Sequence, residues 1–144
     1  MATSSDKKSK VEAPPSKTQV VHVNVDSLSG THEVDLSKDG FRGWLRLHYK
    51  FVGNEFTLST TQYKIDKGDN HGGNKANYNV TMLLSGTLSI DNDMQNNTWH
   101  TWASSVSKLS HGTEVVNVEI IFDKDAQRDP RVNKGYLFSR STTE

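Results

Sequence analysis

Residues 77–91 alternate strictly between two kinds of side chain, and this pattern constrains the fold more than any other in the chain. Every second position is apolar or glycine: Tyr78, Val80, Met82, Leu84, Gly86, Leu88 and Ile90. Most of the positions between them hold Asn, Thr or Ser. A two-residue period is typical of a β-strand with one buried face, because successive strand side chains point to opposite sides. We therefore predict one long strand over 76–91, with a bend at 85–86 that lets each half pair in a different sheet.

The segments that precede this strand show the same two-residue period. We expect 18–25 and 31–36 to form a β-hairpin, because both alternate and a glycine-containing turn separates them. Segment 54–65 is predicted to be a strand whose apolar positions change phase near 59–62. One extra residue in a strand inverts which face points inward, so this change of phase predicts a β-bulge.

The period changes after residue 98. Trp99, Trp102, Val106 and Leu109 are separated by 3, 4 and 3 positions, which is the spacing of one face of a helix. This spacing predicts one short helix at about 98–109. If the segment is a strand instead, Trp99 and Trp102 face opposite ways and one of them lies outside the core.

These segments, with further alternating stretches at 41–51, 115–122 and 135–140, predict an all-β fold. Short strands separated by turn residues are typical of an antiparallel β-sandwich or a flattened barrel, here with about seven or eight strands. Apolar residues make up only 33% of the chain, which fits sheets whose outer faces are wet.

The domain organisation follows from length and composition. A chain of 144 residues is long enough for one domain with a substantial core. Residues 1–17 are rich in Ser, Lys and Thr and are predicted to be a disordered polar arm. The predicted β-sandwich domain then covers 18–140, and 141–144 form a polar tail.

Charge and cysteine content exclude some classes of function. Lys plus Arg equals Asp plus Glu at 17 each, so no basic excess points to nucleic acid as a partner. The absence of cysteine excludes disulfides, thiol catalysis and zinc sites with thiolate ligands. The N-terminus lacks the apolar stretch of a signal peptide, so we expect a cytoplasmic protein, with leaderless export as the other route.

The polar face of strand 41–51 is the first candidate site. While the apolar residues of this segment share one face, the opposite face carries Arg42, Trp44, Arg46, His48 and Lys50. Guanidinium groups bind carboxylate or phosphate, and an exposed indole stacks on a sugar or a cation. The competing interpretation is an ordinary solvated face, on which acids such as Glu33 pair with the cations across the sheet.

A long polar loop at 66–75 is the second candidate. It contains three glycines together with Asp69, His71 and Lys75. Loops of this length and flexibility often carry binding function. We therefore expect these three side chains to complete a binding site with the cationic face of 41–51.

No catalytic or metal motif accompanies these features. The six histidines are scattered, no Gly-x-Ser-x-Gly or phosphate-binding loop occurs, and the acidic turns lack the spacing of a calcium site. We therefore predict a lectin-like, non-catalytic binding module without metal or cofactor. Its expected partner is a glycan or a lipid headgroup, the latter at a membrane surface.

Two alternatives from other classes stay open. In a structural or assembly protein, exposed strand faces would be the contacts of a homo-oligomer. In a β-type pore-forming toxin, the hydroxyl-rich positions that alternate with apolar ones would line a pore after membrane insertion.

Overall fold

The structure, a computed structural model, describes residues 20–25, 29–82, 85–125 and 128–140. The predicted arm at 1–17 and tail at 141–144 lie outside the described residues, as does Leu84 of the alternating segment. Among the described residues there are nine β-strands and no helix. The strands are β1 (Val20–Val25), β2 (Ser29–Lys38), β3 (Phe41–Val52), β4 (Glu55–Asp66), β5 (Ala76–Met82), β6 (Gly86–Asp93), β7 (His100–Leu109), β8 (Thr113–Ile121) and β9 (Arg131–Arg140).

The strands form two sheets, which confirms the predicted all-β sandwich. One sheet has five strands in the order β1-β9-β8-β5-β6, and the other has four in the order β2-β3-β4-β7. Strand β1 runs parallel to β9, and the other described pairs are antiparallel. No described helix is long and apolar enough to cross a membrane.

Strand β3 shows how the two-residue period builds the core. Its odd-numbered positions, from Phe41 to Phe51, are all buried, while the even-numbered ones are partly or fully exposed. Phe41 stacks on Phe122 of the opposite sheet with ring centroids 5.1 Å apart. Burying one such side chain stabilises the fold by about 1.5–3 kcal/mol, so the dry face of β3 is a main source of sheet-to-sheet cohesion.

The prediction of one long strand over 76–91 is wrong about the path of the chain but right about which side chains face the core. Strands β5 and β6 pair antiparallel within one sheet, with Met82 opposite Gly86, and therefore form a hairpin. Tyr78 and Val80 are buried, and Ile90 packs against the same core. The predicted division between two sheets at 85–86 therefore does not occur, because the hydrogen bonds of both arms stay in one sheet.

The predicted hairpin of 18–25 with 31–36 is also wrong. Strand β1 pairs with β9 in the five-stranded sheet, whereas β2 pairs with β3 in the four-stranded sheet. The connection between β1 and β2 therefore passes from one sheet to the other.

The predicted helix at 98–109 is wrong, because this segment forms strand β7 at the edge of the four-stranded sheet. Trp102 is buried, whereas Trp99 is half-buried and Leu109 is 78% exposed. These side chains lie on both faces of a strand, so the helical spacing was coincidental.

The predicted β-bulge in strand β4 is confirmed. The register of β4 against β3 shifts by one residue, so that Gln62 lies opposite Arg46 and Thr60 lies opposite Leu47. The extra residue, Thr61, is exposed. The bulge keeps apolar residues on the core side in both halves of β4, which explains the change of phase in the sequence.

Candidate functional site

Two indoles and three cations form a continuous ladder on the solvent face of the four-stranded sheet. The Arg42 guanidinium carbon lies 4.7 Å from the ring centre of Trp44, and the Lys64 Nζ lies 4.5 Å from the same ring. Lys64 Nζ also lies 5.1 Å from the ring centre of Trp99, and the Arg46 guanidinium carbon lies 3.6 Å from it. Each distance is within the range of a cation–π interaction. We call these five residues the indole–cation ladder.

The register of three strands explains why the ladder forms. Trp44 of β3 lies directly opposite Lys64 of β4, and Arg42 and Arg46 occupy the next positions on the same face of β3. Trp99 immediately precedes β7, which pairs with β4 on its other side. Side chains of neighbouring strands on one face lie within reach of each other, so the register of β3 and β4 brings Lys64 to the arginines and Trp44, and the approach to β7 adds Trp99.

Acids on strand β2 hold both guanidiniums in place. Arg42 donates two hydrogen bonds to the Asp35 carboxylate, of 2.9 Å from Nε and 2.7 Å from Nη2. The bonds from Arg42 lower the pKa of Asp35 below its ordinary value. Arg46 donates to Glu33 at 3.1 Å and to the Gln62 side chain at 2.8 Å. Exposed ion pairs of this kind add less than about 1 kcal/mol each, so orientation of the guanidiniums is their main effect.

The charges on this face balance. Strands β2 to β4 place four permanent cations and four acids on it: Arg42, Arg46, Lys50 and Lys64 against Glu33, Asp35, Glu55 and Asp66. The competing interpretation from the sequence was that acids pair with the cations across the sheet. Both arginines do pair with acids of β2. The face offers oriented hydrogen-bond donors and aromatic surface with little net field.

A small cavity opens beside the Arg46 end of the ladder. Its volume is about 190 Å³, and its lining residues are Thr31, His32, Glu33, Arg46, Leu47 and Thr61. Thr61 is there because it is the extra residue of the β4 bulge. The cavity thus combines hydroxyl groups, one acid and the guanidinium of Arg46, which lies over the Trp99 ring. Its volume is below the roughly 300 Å³ of drug-sized sites.

The other two predicted residues of strand β3 lie farther along the same face. His48 is opposite Ser59 and Lys50 is opposite Thr57, beyond the bulge. His48 is half-buried and Lys50 is exposed. The structure therefore keeps all five predicted β3 residues on one face but gathers only Arg42, Trp44 and Arg46 into the ladder.

The predicted loop residues lie at the end of the sandwich, next to the Arg42 end of the ladder. Asp66, the last residue of β4, is opposite Arg42, and the loop follows it. Asp69, His71 and Lys75 are all exposed. Two main-chain groups of the loop contact the connection that follows β8: the His71 carbonyl accepts the Asp125 N–H, and the Lys75 N–H donates to the Asp123 carboxylate. No hydrogen bond or ion pair recorded for the described residues joins these three side chains to the ladder.

Gln95 fastens three loops together and was not singled out from the sequence. Its side chain is buried and donates to the carbonyls of Gly73 at 2.8 Å and of Asp123 at 2.9 Å. Its Oε1 accepts the Asp123 N–H at 2.9 Å, and its own N–H donates to the Asn74 side chain at 3.0 Å. Segments 67–75, 94–99 and 122–125 are therefore tied at one point, which we call the Gln95 latch.

Asp93 is the second residue that the sequence pattern did not reveal. Its residue exposure is 0%, and neither carboxylate oxygen has a hydrogen-bond partner. Burial, with a smaller contribution from Asp91, raises the pKa of Asp93 to about 7. Strand β6 contains an irregularity at this point, with Asn92 in the left-handed conformation at φ 58°. The bulge turns the next side chain inward.

A larger cleft of about 620 Å³ lies elsewhere at the loop end of the sandwich. Its described lining residues are Lys38, Asp39, Arg128, Asp129, Pro130 and Arg131. Asp129 accepts the Lys124 N–H at 2.9 Å, and Arg131 lies 3.6 Å from Glu119. None of the lining residues is aromatic, so this cleft offers less varied ligand chemistry than the ladder and its cavity.

Two residues of the ladder, Lys64 and Trp99, were missed as site residues. Trp99 was assigned to a helix, although the alternative of a strand already placed one indole outside. Among the described residues there is no group of three or more His, Asp or Glu side chains placed to hold a metal ion. No protein-family model, no curated protein and no solved structure matches the chain.

Proposed function

We propose that the protein is a non-catalytic binding module whose ligand is a polyhydroxylated glycan held on the indole–cation ladder. The observation that carries the proposal is the ladder itself, with Trp44 and Trp99 half-buried on a solvent face between oriented cations. Large aromatic side chains on the surface of a sheet are uncommon unless they make contacts. The cavity beside Arg46 adds hydroxyl and charged groups at one end of the ladder.

The charge balance favours a neutral glycan over an anionic lipid headgroup. Asp35 and Glu33 already compensate the two guanidiniums, so the attraction for a polyanion is weak. A guanidinium has five N–H donors, and the recorded hydrogen bonds of Arg46 use only two of its nitrogens. Donors that are already oriented reduce the entropy that a ligand loses on binding.

The ring contacts also predict how a ligand approaches. Cations lie over both indoles of the ladder, so we expect a ligand to approach the ring edges and the cavity that Thr31 and Thr61 line. A ligand that hydrogen-bonds to Arg46 and Thr61 while it contacts the edge of Trp99 uses all three kinds of group. Such a combination of an apolar edge with few well-placed polar groups is typical of small-ligand sites.

The test is a glycan array followed by titration of tryptophan fluorescence with each positive glycan. We expect binding of at least one neutral glycan, weakened tenfold or more in Trp99→Ala and Arg46→Ala. The matched control is Val115→Ala, an exposed position on the other sheet, which leaves affinity unchanged. Phosphatidylserine vesicles form a separate arm of the experiment. Binding to vesicles alone, no binding at all, or equal affinity in every variant would refute the proposal.

A further inference from the structure

An ionisable side chain lies buried and unpartnered two residues from the Gln95 latch. Asp93 ends strand β6, and Gln95 follows it in the next connection. A buried carboxylate that lacks a hydrogen bond or a countercharge is strongly unfavourable, so such a group stays neutral or leaves the interior. Either response acts directly on the short segment that carries Gln95.

We propose that Asp93 makes the Gln95 latch sensitive to pH. With a neutral Asp93 carboxyl the latch is closed, and ionisation of this carboxyl draws residues 93–95 toward water and frees segments 67–75 and 122–125. The proposal concerns the order of the loops in the absence of ligand, and it does not depend on glycan binding.

The surroundings of Asp93 contain acids and phenols. Asp91, on the same strand, raises the pKa of Asp93 further. Burial raises the pKa values of Tyr63 of β4 and Tyr78 of β5, and the charge of Asp93 raises both further. The His100 ring of β7 stacks on Tyr63 with centroids 5.2 Å apart. Among the described residues, no cation acts on the pKa of Asp93 to stabilise its ionised form in place.

Tyr63 connects the buried acid to the connection that carries the latch. Its hydroxyl accepts the N–H of Met94, the residue between Asp93 and Gln95, at 3.1 Å. The side chain of Tyr63 also packs against Tyr78, with ring centroids 5.3 Å apart. Outward movement of Asp93 therefore breaks the Met94 hydrogen bond before it reaches the four contacts of Gln95.

The direction of the effect follows from proton linkage. While the latch is closed, the Asp93 carboxyl keeps its proton up to about pH 7, whereas an exposed aspartate loses its proton near pH 4. Opening therefore releases one proton between these two values. The equilibrium constant for opening is expected to rise about tenfold per pH unit in this window and to level off above pH 7.

The test is amide hydrogen exchange of the full-length protein at pH 5, 6, 7 and 8, with rates corrected for the intrinsic pH dependence of exchange. We expect protection in 67–75, 94–99 and 122–125 to fall about tenfold per pH unit up to pH 7. Asp93→Asn removes this dependence and keeps protection high. Asp125→Asn, an exposed acid in one of the same loops, is the matched control and behaves as the wild type.

A second variant separates the latch from the buried acid. Gln95→Ala is expected to lower protection in all three loops at pH 5, where the wild type is closed. Protection that is independent of pH in the wild type, or an unchanged slope in Asp93→Asn, would overturn the role of Asp93. Wild-type protection in Gln95→Ala would overturn the role of the latch.

Discussion

Replacing Asp93 with Asn is expected to change the pH dependence of global stability in a way that can be calculated. The substitution keeps the size of the side chain but removes its ionisation. We expect equal free energies of unfolding for wild type and variant near pH 4, within about 1 kcal/mol. At pH 8 the variant should be more stable.

The magnitude follows from the two pKa values. In the folded protein the pKa of Asp93 is about 7, against 3.8 for the free side chain. Because the folded pKa is the higher one, the stability due to Asp93 is fully present below pH 3.8 and is lost as pH rises through 7. Each unit of difference corresponds to about 1.36 kcal/mol, so the loss approaches about 4 kcal/mol. Local opening of the latch lowers this figure, since it lets the ionised carboxylate reach water.

The assay is urea unfolding at half-unit intervals from pH 4 to 8, with stability compared between the two proteins at each pH. Groups such as His32, whose pKa is lowered by burial, are present in both proteins and cancel in the difference. Asp125→Asn again serves as the control for removal of an exposed acid. If the difference in free energy of unfolding between wild type and Asp93→Asn is the same at pH 5 and at pH 8, the reasoning is refuted.

Two further substitutions test the packing of β7 and β8 against their neighbours. Thr60→Val removes a buried hydroxyl that donates to one carbonyl of β7 at 2.7 Å and accepts an N–H of the same strand at 3.1 Å. We expect urea unfolding to show a loss of about 1–3 kcal/mol in the free energy of unfolding, whereas Thr60→Ser retains most of the stability. Lys108→Met removes the cation that lies 2.9 Å from the Glu114 carboxylate, a side chain that is only 6% exposed. We expect a loss of about 3 kcal/mol in the free energy of unfolding, which the double variant Lys108→Met/Glu114→Leu largely reverses. Additive effects of the two changes would contradict this interpretation.

The two-residue alternation of apolar and polar side chains was sufficient to predict which face of several strands is buried. Strand β3 buries Phe41 through Phe51 at alternate positions as predicted, and the bulge in β4 lies where the apolar phase changes. Both features depend only on the alternation of side chains along an extended chain. The arginines of β3 share a face for the same reason, so half of the ladder was recognisable without a structure.

The reversal of the chain between β5 and β6 was not recognisable from alternation. Met82 lies opposite Gly86, so even-numbered residues face the core on both arms of the hairpin. A hairpin with this register preserves the parity of the apolar positions, and the sequence of a hairpin then looks like that of one long strand. Only the pairing partners distinguish the two paths.

Trp99 and Trp102 show how a coincidence of spacing misled the prediction for β7. Residues three apart lie on one face of a helix but on opposite faces of a strand. The hydrogen bonds that β7 makes with β4 decide between the two, and they join residues far apart in the chain, such as Ser59 and Ser105, which are separated by 46 positions. The ladder requires Trp99 on the solvent face, so the contacts of Trp99 with Lys64 and Arg46 depend on that pairing.

The sequence by itself determined that this chain is built from strands and which side of most strands avoids water, because both follow from side-chain order within a few residues. The tertiary structure decided which strands are neighbours, and with them the ladder of Trp44, Lys64 and Trp99 and the burial of Asp93 beside the Gln95 latch. These features require residues from distant segments to meet in one register. That register is set by hydrogen bonds between strands and by closure of the core, and neither is encoded in local alternation.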